Sequence, residues 1–445
     1  MMDKVKDFLS KVDPGYFYLL LQLVNFVFKL VDTYVLDLFF GISLIHGSRK
    51  ERKNANKSDL AAHVVNVHYM ASMGIGMNYD LSCFFVTHDK YEYLDFIANN
   101  ANVTFFAVDK TKAVFVVTDP SVDVYCTKSF PFTAFGQQLV AKKLVIIDHA
   151  TLHRLAERLG DPAVPVSIVN MTARCGSTLL TQMISKVPKT RAMGEPYPMV
   201  HIHKLYQTGD MLRSEYERMM RSVMRVQCKV EPSAGVERIF IKMVCYNAAQ
   251  FGMLHKLFPE FALFFNTRQL TQSFLSLKKV IAFTFKDTIA KKWGFQRRHT
   301  SPFFAVPYDS PEYERAFSKY EDKLTLDISA IEHLAVMSAL VAACYEKDPK
   351  VYKDIIFYED LRKDPKATME KIFEHAKIPM EHVPAALSAL KDNSQNDLLG
   401  PRGANGIELT REEKDAINRK FKEFKVPLTC DMSLEAFNEY FTSKR

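Results

Sequence analysis

The stretch Val166-Ser-Ile-Val-Asn-Met-Thr-Ala-Arg-Cys-Gly-Ser-Thr-Leu-Leu180 decides how the chain reads, because an apolar strand pattern runs into a tight turn and then a helical pattern. Gly176 permits a sharp backbone turn, Ser177 and Thr178 offer hydroxyls, and the amides that open the helix favour negative charge in the turn. A phosphate is the natural guest. A nucleoside-triphosphate loop reads G-x-x-x-x-G-K-[ST], but here no glycine precedes Gly176 at that spacing and no lysine follows it. Arg174, two residues before Gly176, is the cation within reach instead.

Beyond this turn the pattern alternates strand and helix. Ile239–Cys245 and Phe261–Asn266 are apolar strand candidates, each followed by a helical pattern, and Asp354–Tyr358 is another. The spacing predicts helices over Ser177–Val187, Leu326–Glu346 and Pro365–Lys377, and Thr410-Arg-Glu-Glu413 is a capping box for a last helix reaching about Phe424. Alternation of this kind implies a mainly parallel sheet with its sites at the carboxyl ends of the strands.

Upstream, residues 58–165 read as a small α/β unit. Val103–Val108 and Ala113–Thr118 form a hairpin across Asp109–Lys112, Leu144–Ile147 is a third strand, and Asp148 caps a helix through Leu159 that Gly160 and Pro162 stop. His153 on that helix reads as a surface or packing residue, not a catalyst. Residues 14–47 are the most apolar segment, but Gln22, Asn25, Lys29, Asp32, Thr33 and Asp37 interrupt them. Those polar positions share one helical arc, so residues 1–57 read as an amphipathic, membrane-associating helix followed by a basic run. Arg49, Lys50, Arg52, Lys53 and Lys57 after the helix outweigh three lysines before it, which predicts a catalytic body in the cytoplasm or on the cytosolic face of an intracellular membrane.

Composition sets the outer limits. The 445 residues allow two or three domains, 48% hydrophobic content is that of a globular protein, and a formal charge of +8 suits a polyanionic cofactor or an anionic membrane but is too diffuse for nucleic acid. The seven cysteines lie far apart without zinc spacing, as expected of reduced thiols, and no metal is expected. Glycosylation sequons occur at Asn56, Asn102 and Asn170; the last sits inside the strand feeding the turn, where a glycan has no room.

Two further segments bear on the turn. After the strand Phe261–Asn266, Arg268 stands at the strand end and Ser276 eight residues on, a guanidinium and a hydroxyl suited to a phosphate dianion. Ile355-Ile-Phe-Tyr-Glu-Asp-Leu-Arg-Lys-Asp-Pro-Lys-Ala-Thr368 is a strand running into a helix. Together with Arg174–Leu180, and in this order, the three segments resemble the sulfotransferases that use 3′-phosphoadenosine 5′-phosphosulfate (PAPS), over roughly residues 166–430. The resemblance implies a P-loop-like three-layer α/β fold for residues 166–445, beside the amino-terminal helical segment and the small α/β unit. It implies that Arg174, Cys175, Gly176, Ser177, Thr178 and Leu179 cradle the 5′-phosphosulfate, that Arg268 and Ser276 hold the 3′-phosphate, and that Tyr358 lies beside the adenine. Arg402 and Gly403, in Pro-Arg-Gly, are the nearest match to a late basic loop that contacts the 3′-phosphate.

The catalytic base departs from one branch of that family. The cytosolic branch acting on small molecules has a histidine two residues after a strand lysine, whereas Lys242-Met-Val places Val244 there. Gly194-Glu-Pro resembles the glutamate loop of the branches acting on carbohydrates or peptidyl tyrosine, so Glu195 is the candidate base, with His201 and His203 in reserve. Arg174, assisted by Lys242, would stabilise the leaving phosphate. The expected acceptor is a hydroxyl or amine of a small molecule, lipid or glycan, and the aromatic residues 280–317 with the apolar amino terminus favour a lipophilic one. Two other classes stay open: a P-loop-type nucleotide-dependent kinase, and a membrane-associated nucleotide-binding protein without turnover.

Overall fold

The computed structural model describes residues 14–57, 60–71, 79–231, 234–284, 330–393 and 407–445. Arg402, Gly403 and most of the aromatic 280–317 segment lie outside the described residues. Two five-stranded sheets organise the rest. The first is antiparallel and comprises β1 (Ala62–Met70), β2 (Phe84–Glu92), β3 (Val103–Val108), β4 (Lys112–Val117) and β5 (Lys143–Asp148), in the order β2-β1-β5-β4-β3. The expected hairpin is β3–β4, its turn fixed by Asp109 Oδ1, which accepts the N–H groups of Thr111 and Lys112 at 2.8 and 2.7 Å. Asp148 caps the following helix by accepting Thr151 N–H at 2.7 Å. His153 is buried there against Ser222 Oγ at 2.7 Å, as a packing residue should be.

The second sheet comprises β6 (Val166–Met171), β7 (Thr190–Gly194), β8 (Arg238–Lys242), β9 (Ala262–Thr267) and β10 (Asp354–Phe357), in the order β10-β9-β6-β8-β7 with every pair parallel. The chain lays β7 and β8 on one side of β6 and then crosses to β9 on the other. The switch in direction therefore falls at β6, and the crevice beyond its carboxyl end is where ligands bind in open parallel sheets. Period-two burial gives three layers. Ile168, Ile239, Ile241, Leu263 and Phe265 point into the core shared with the first sheet, whereas Val169, Phe240 and Phe264 point to the opposite face, against Leu180, Met183, Met369 and Phe373. This is the α/β architecture with a parallel central sheet that the strand–helix alternation implied.

One apolar core runs continuously through both sheets. A buried lysine joins them: Lys229 Nζ donates to the carbonyls of Ile97, Asn100 and Val103 at 2.6, 2.8 and 3.0 Å, and Glu231 Oε1 lies 2.9 Å away. The capping box at Thr410 and Glu413 forms as expected and opens the helix Arg411–Glu423.

The amino-terminal helix differs from expectation in two respects. It runs from Pro14 to Val31, continues with π-type bonding from Asp32 to Phe40 and stops at Gly41, whose φ of 69° breaks it; residues 42–48 then form a short antiparallel ladder. Tyr16–Phe40 is 25 residues, long and apolar enough by length and composition to cross a membrane. Its polar side faces the protein: Tyr18 hydroxyl pairs with Ser82 Oγ at 2.8 Å, Gln22 donates to Ser82 O at 2.7 Å and Asn25 to Phe84 O at 3.1 Å. Asp32 is buried, accepting from Ser43 Oγ at 2.6 Å and Leu44 N–H at 2.5 Å. Tyr18, Gln22 and Asn25 find partners at the start of β2 and in the turn before it, and Asp32 in the ladder after its own helix, none of which a helical-arc reading of the sequence sees.

Candidate functional site

Because all five strands of the second sheet are parallel, the segments leaving β6, β7, β8, β9 and β10 emerge on one edge. These carry the turn 172–176, Glu195, the end of Lys242, Arg268 and Tyr358. Gly176 has φ 82° and precedes the helix Ser177–Ser185, which no side chain caps. An uncapped first turn leaves its amides available to an anion. A Cβ on Gly176 would lie 2.3 Å from Tyr358 Cδ2, so the tyrosine ring covers the turn and only glycine fits beneath it. Ser273 Oγ, which sequence reasoning did not single out, donates to Ala173 O at 2.6 Å and fixes the turn from the side of β9.

The two arginines meet at this turn. Arg174 Nε donates to Ser276 Oγ at 3.1 Å, and Arg268 Nη1 donates to the Arg174 carbonyl at 3.3 Å. The Arg268 guanidinium stacks over Tyr358, 4.3 Å from the ring centroid. Burial first, and then the neighbouring Arg268, push the Arg174 guanidinium below its ordinary pKa. Arg268 Nε is buried without a hydrogen-bond partner among the described residues. Two half-buried cations held together with one buried donor unspent form a site that a phosphate dianion relieves. Thus the turn, Arg268, Ser276 and Tyr358 converge on one cluster. The Arg174 side chain reaches toward Ser276 and not toward the strand-end lysine.

Beside the turn stands a second cluster. Lys242 is 1% exposed; its Nζ donates to Glu195 Oε1 at 2.5 Å and to Thr178 Oγ1 at 3.0 Å, and lies 5.1 Å from the Phe132 ring centroid. Register explains the pairing, since Lys242 lies opposite Gly194 on adjacent parallel strands and Glu195 N–H donates to Lys242 O at 2.8 Å. A Cβ on Gly194 would lie 2.2 Å from Pro131 O, so the Pro131–Phe132 segment closes over the strand end. Arg174 and Glu195 both have positive φ, 61° and 55°. Such backbone costs on the order of 1 kcal/mol in a residue with a side chain, and non-glycine residues held this way cluster at functional sites.

The remaining predicted residues have other surroundings. Cys175 is fully buried and burial pushes its thiol up to about 11, which removes it as a nucleophile. Ser177 turns its hydroxyl inward to Met171 Sδ at 2.6 Å, and Leu179 packs on the apolar layer of the helix face, so neither side chain is directed at a ligand in the turn. His201 Nδ1 accepts Val108 N–H at 3.3 Å. His203 Nδ1 pairs with the Tyr216 hydroxyl at 2.8 Å, and Gln250 Nε2 donates to that hydroxyl at 2.8 Å, so the tyrosine donates to the imidazole. Burial holds His201 near 4 and His203 near 3; both serve packing. Glu359, to which the sequence reading gave no role, accepts Gln269 N–H at 3.2 Å and leaves a buried Oε2 without a partner among the described residues, near Arg268, with burial holding its carboxyl above the usual range. A cavity of about 1170 Å³ lies elsewhere, between the polar side of the amino-terminal helix, the first sheet and the helix carrying His201.

No family model matches the chain, and no curated protein does. Among solved structures it is similar to the sulfotransferase STF9 from Mycobacterium avium, at 15% identity over 63% of this chain and 82% of that one, with a TM-score of 0.35. It is also similar to the sulfotransferase domain of the Synechococcus olefin synthase, at 12% identity over 64% of this chain and 95% of that one, with a TM-score of 0.30.

Proposed function

We propose that the protein transfers a sulfuryl group from PAPS to a hydroxyl or amine of a lipophilic acceptor. The observation that carries this reading is the half-buried Arg174–Arg268 pair, whose Arg268 Nε is buried without a hydrogen-bond partner among the described residues, set against an uncapped helix start on the same sheet edge. It offers two kinds of anion site to one doubly phosphorylated nucleotide: main-chain amides for the 5′-phosphosulfate, and guanidinium with the Ser276 hydroxyl for the 3′-phosphate. Tyr358, lying between the turn and Arg268, offers a stacking face for the adenine.

The reacting groups then have assigned roles. The acceptor oxygen or nitrogen bonds to sulfur as the bridging sulfur–oxygen bond breaks, and the bond pair leaves with the 5′-phosphate. Glu195 takes the acceptor proton. Lys242, which donates to Thr178 in the first turn of the helix, stabilises charge gathering on the leaving oxygen, while Arg174, turned toward Ser276, helps hold the 3′-phosphate. The Lys242–Glu195 ion pair links the base to the group that stabilises the leaving charge. The glutamate assignment keeps the reading closer to transferases of the glutamate type than to those using histidine, since Val244 occupies the histidine position.

Transfer of labelled sulfate from PAPS to a panel of alcohols and amines of graded lipophilicity tests this. Wild-type protein should turn over, and Glu195→Gln should lose turnover by about 100-fold or more while keeping affinity for 3′-phosphoadenosine 5′-phosphate. Phosphate transfer from ATP with magnesium, or nucleotide binding with no transfer to any acceptor, would replace this reading with a kinase or a binding protein.

A further inference from the structure

The amino-terminal helix has its two sides reversed relative to a helix that packs on a soluble core. Over residues 16–31, at 100° per residue, Tyr18, Leu21, Gln22, Asn25 and Phe28 fall on one arc of about 120° and face the body of the protein. Leu19, Leu20, Leu23, Val24, Phe26 and Val27, with Leu30 and Val31, cover the opposite arc of about 160° and are 41 to 61% exposed. The exposed surface continues through Leu38, Phe39 and Phe40, at 60 to 75% exposed, to Ile42 and Leu44. A partner helix covers a stripe roughly 100° wide; this face is wider and fits a medium that surrounds the helix on every side the protein does not.

Charge identifies the medium. The helix Arg49–Lys57, RKERKNANK, carries five cations against one acid. It is fastened to the end of the apolar helix, where Arg52 Nη2 lies 2.5 Å from Asp37 Oδ1 and Arg49 bonds the Asp37 and Leu38 carbonyls. Lys50 and Lys53 on this fastened helix remain exposed. An apolar strip flanked by lysines matches an anionic bilayer surface, the charge of cytosolic leaflets.

We infer that residues 16–44 form an in-plane anchor that sinks its outward face into an anionic lipid surface while its inner, polar face stays bonded to the first sheet. At 1.5 Å per residue the 25-residue helix is about 37 Å long, enough to span a hydrocarbon core of roughly 30 Å. Spanning would strip Tyr18, Gln22 and Asn25 of their partners at Ser82 and Phe84, and the intact contacts hold the helix along the membrane. The inference is independent of the sulfuryl-transfer reading, and its test measures no activity.

The test is sedimentation of the full chain with phosphatidylcholine vesicles, with and without phosphatidylserine. Wild-type protein should partition onto the mixed vesicles, and Leu23→Glu with Phe26→Glu, both at exposed positions, should lose at least tenfold of that partition while the far-ultraviolet spectrum is unchanged. Lys50→Glu with Lys53→Glu should remove the preference for phosphatidylserine. Cysteines introduced at Lys11 and Asn54 should both be labelled from outside by a membrane-impermeant maleimide. Labelling of only one of them would establish a span and overturn the inference. So would a discrete dimer in light scattering that Leu23→Glu with Phe26→Glu dissociates, without vesicle binding by either protein, since a second copy would then be the occupant.

Discussion

Replacing Lys242 by methionine probes the strand-end cluster most sharply, because the lysine is almost wholly buried and its Nζ serves both Glu195 and Thr178. Removing one member of a buried ion pair strands the other charge, at a cost of about 3 to 5 kcal/mol. The Glu195 side chain keeps 16% of its exposure, so partial hydration places Lys242→Met near the lower end, about 3 kcal/mol. Glu195→Gln preserves an acceptor for Nζ but leaves the lysine's charge without its counterion. In the double variant neither charge is stranded, so its loss should fall short of the sum of the single losses by roughly 1 kcal/mol or more. Urea unfolding of the four proteins followed by fluorescence measures the cycle. A loss below about 1 kcal/mol for Lys242→Met, or strict additivity, would show that the pair is not a dry, coupled unit, and the argument tying the base to the leaving-group cation would fail.

Other consequences concern the turn, the junction between the sheets and the buried imidazoles. Gly176→Ala should abolish binding of 3′-phosphoadenosine 5′-phosphate in calorimetry, since the added Cβ needs a φ of 82° and meets the Tyr358 ring at 2.3 Å; unchanged affinity would contradict the fit of ring on turn. Lys229→Met strands the buried Glu231 charge and frees the carbonyls of Ile97, Asn100 and Val103, so chemical denaturation should show a loss of about 3 kcal/mol. Arg191, which lies 3.0 Å from Glu231, limits but does not cancel that loss. His203 is buried neutral with its pKa lowered to about 3, so the unfolded chain binds the extra proton. Its stabilising effect is complete above the unfolded value of about 6.5 and is lost as pH falls toward the folded one. Between pH 7.5 and 5.5 that loss is about 1.4 kcal/mol, and His203→Gln should show a correspondingly shallower acid dependence of its urea midpoint.

Much of the transfer layer was legible because its signals are local. An apolar strand, a glycine turn and hydroxyls in the next helical turn are neighbours in sequence at Val166–Leu180, and the caps at Asp148 and Thr410 need only three further residues. Arg268 and Ser276 were legible for the same reason, standing on one strand end and the helix after it. Strand β7 was missed because Thr190-Arg-Ala-Met-Gly194 has no β-branched apolar run, its burial being imposed by β8 beside it. Strands β1 and β2 were missed because histidines, Asn66 and Asp89 break their pattern, and β1 is held between β2 and the distant β5. The contact of Tyr358 with Gly176, the closure of Pro131 over Gly194 and the direction of the Arg174 side chain all join segments far apart in the chain. No spacing rule in the sequence carries such contacts.

The central claim is that two neighbouring anion sites hold one nucleotide by both of its phosphates. Titration calorimetry with 3′-phosphoadenosine 5′-phosphate and with adenosine 5′-monophosphate, on wild-type protein and Arg268→Ala, tests it directly. The account predicts that the bisphosphate binds wild-type protein at least tenfold more tightly than the monophosphate, and that Arg268→Ala removes this difference by weakening only the bisphosphate. Equal affinity of the two nucleotides for wild-type protein, or an equal loss of both in Arg268→Ala, would contradict it.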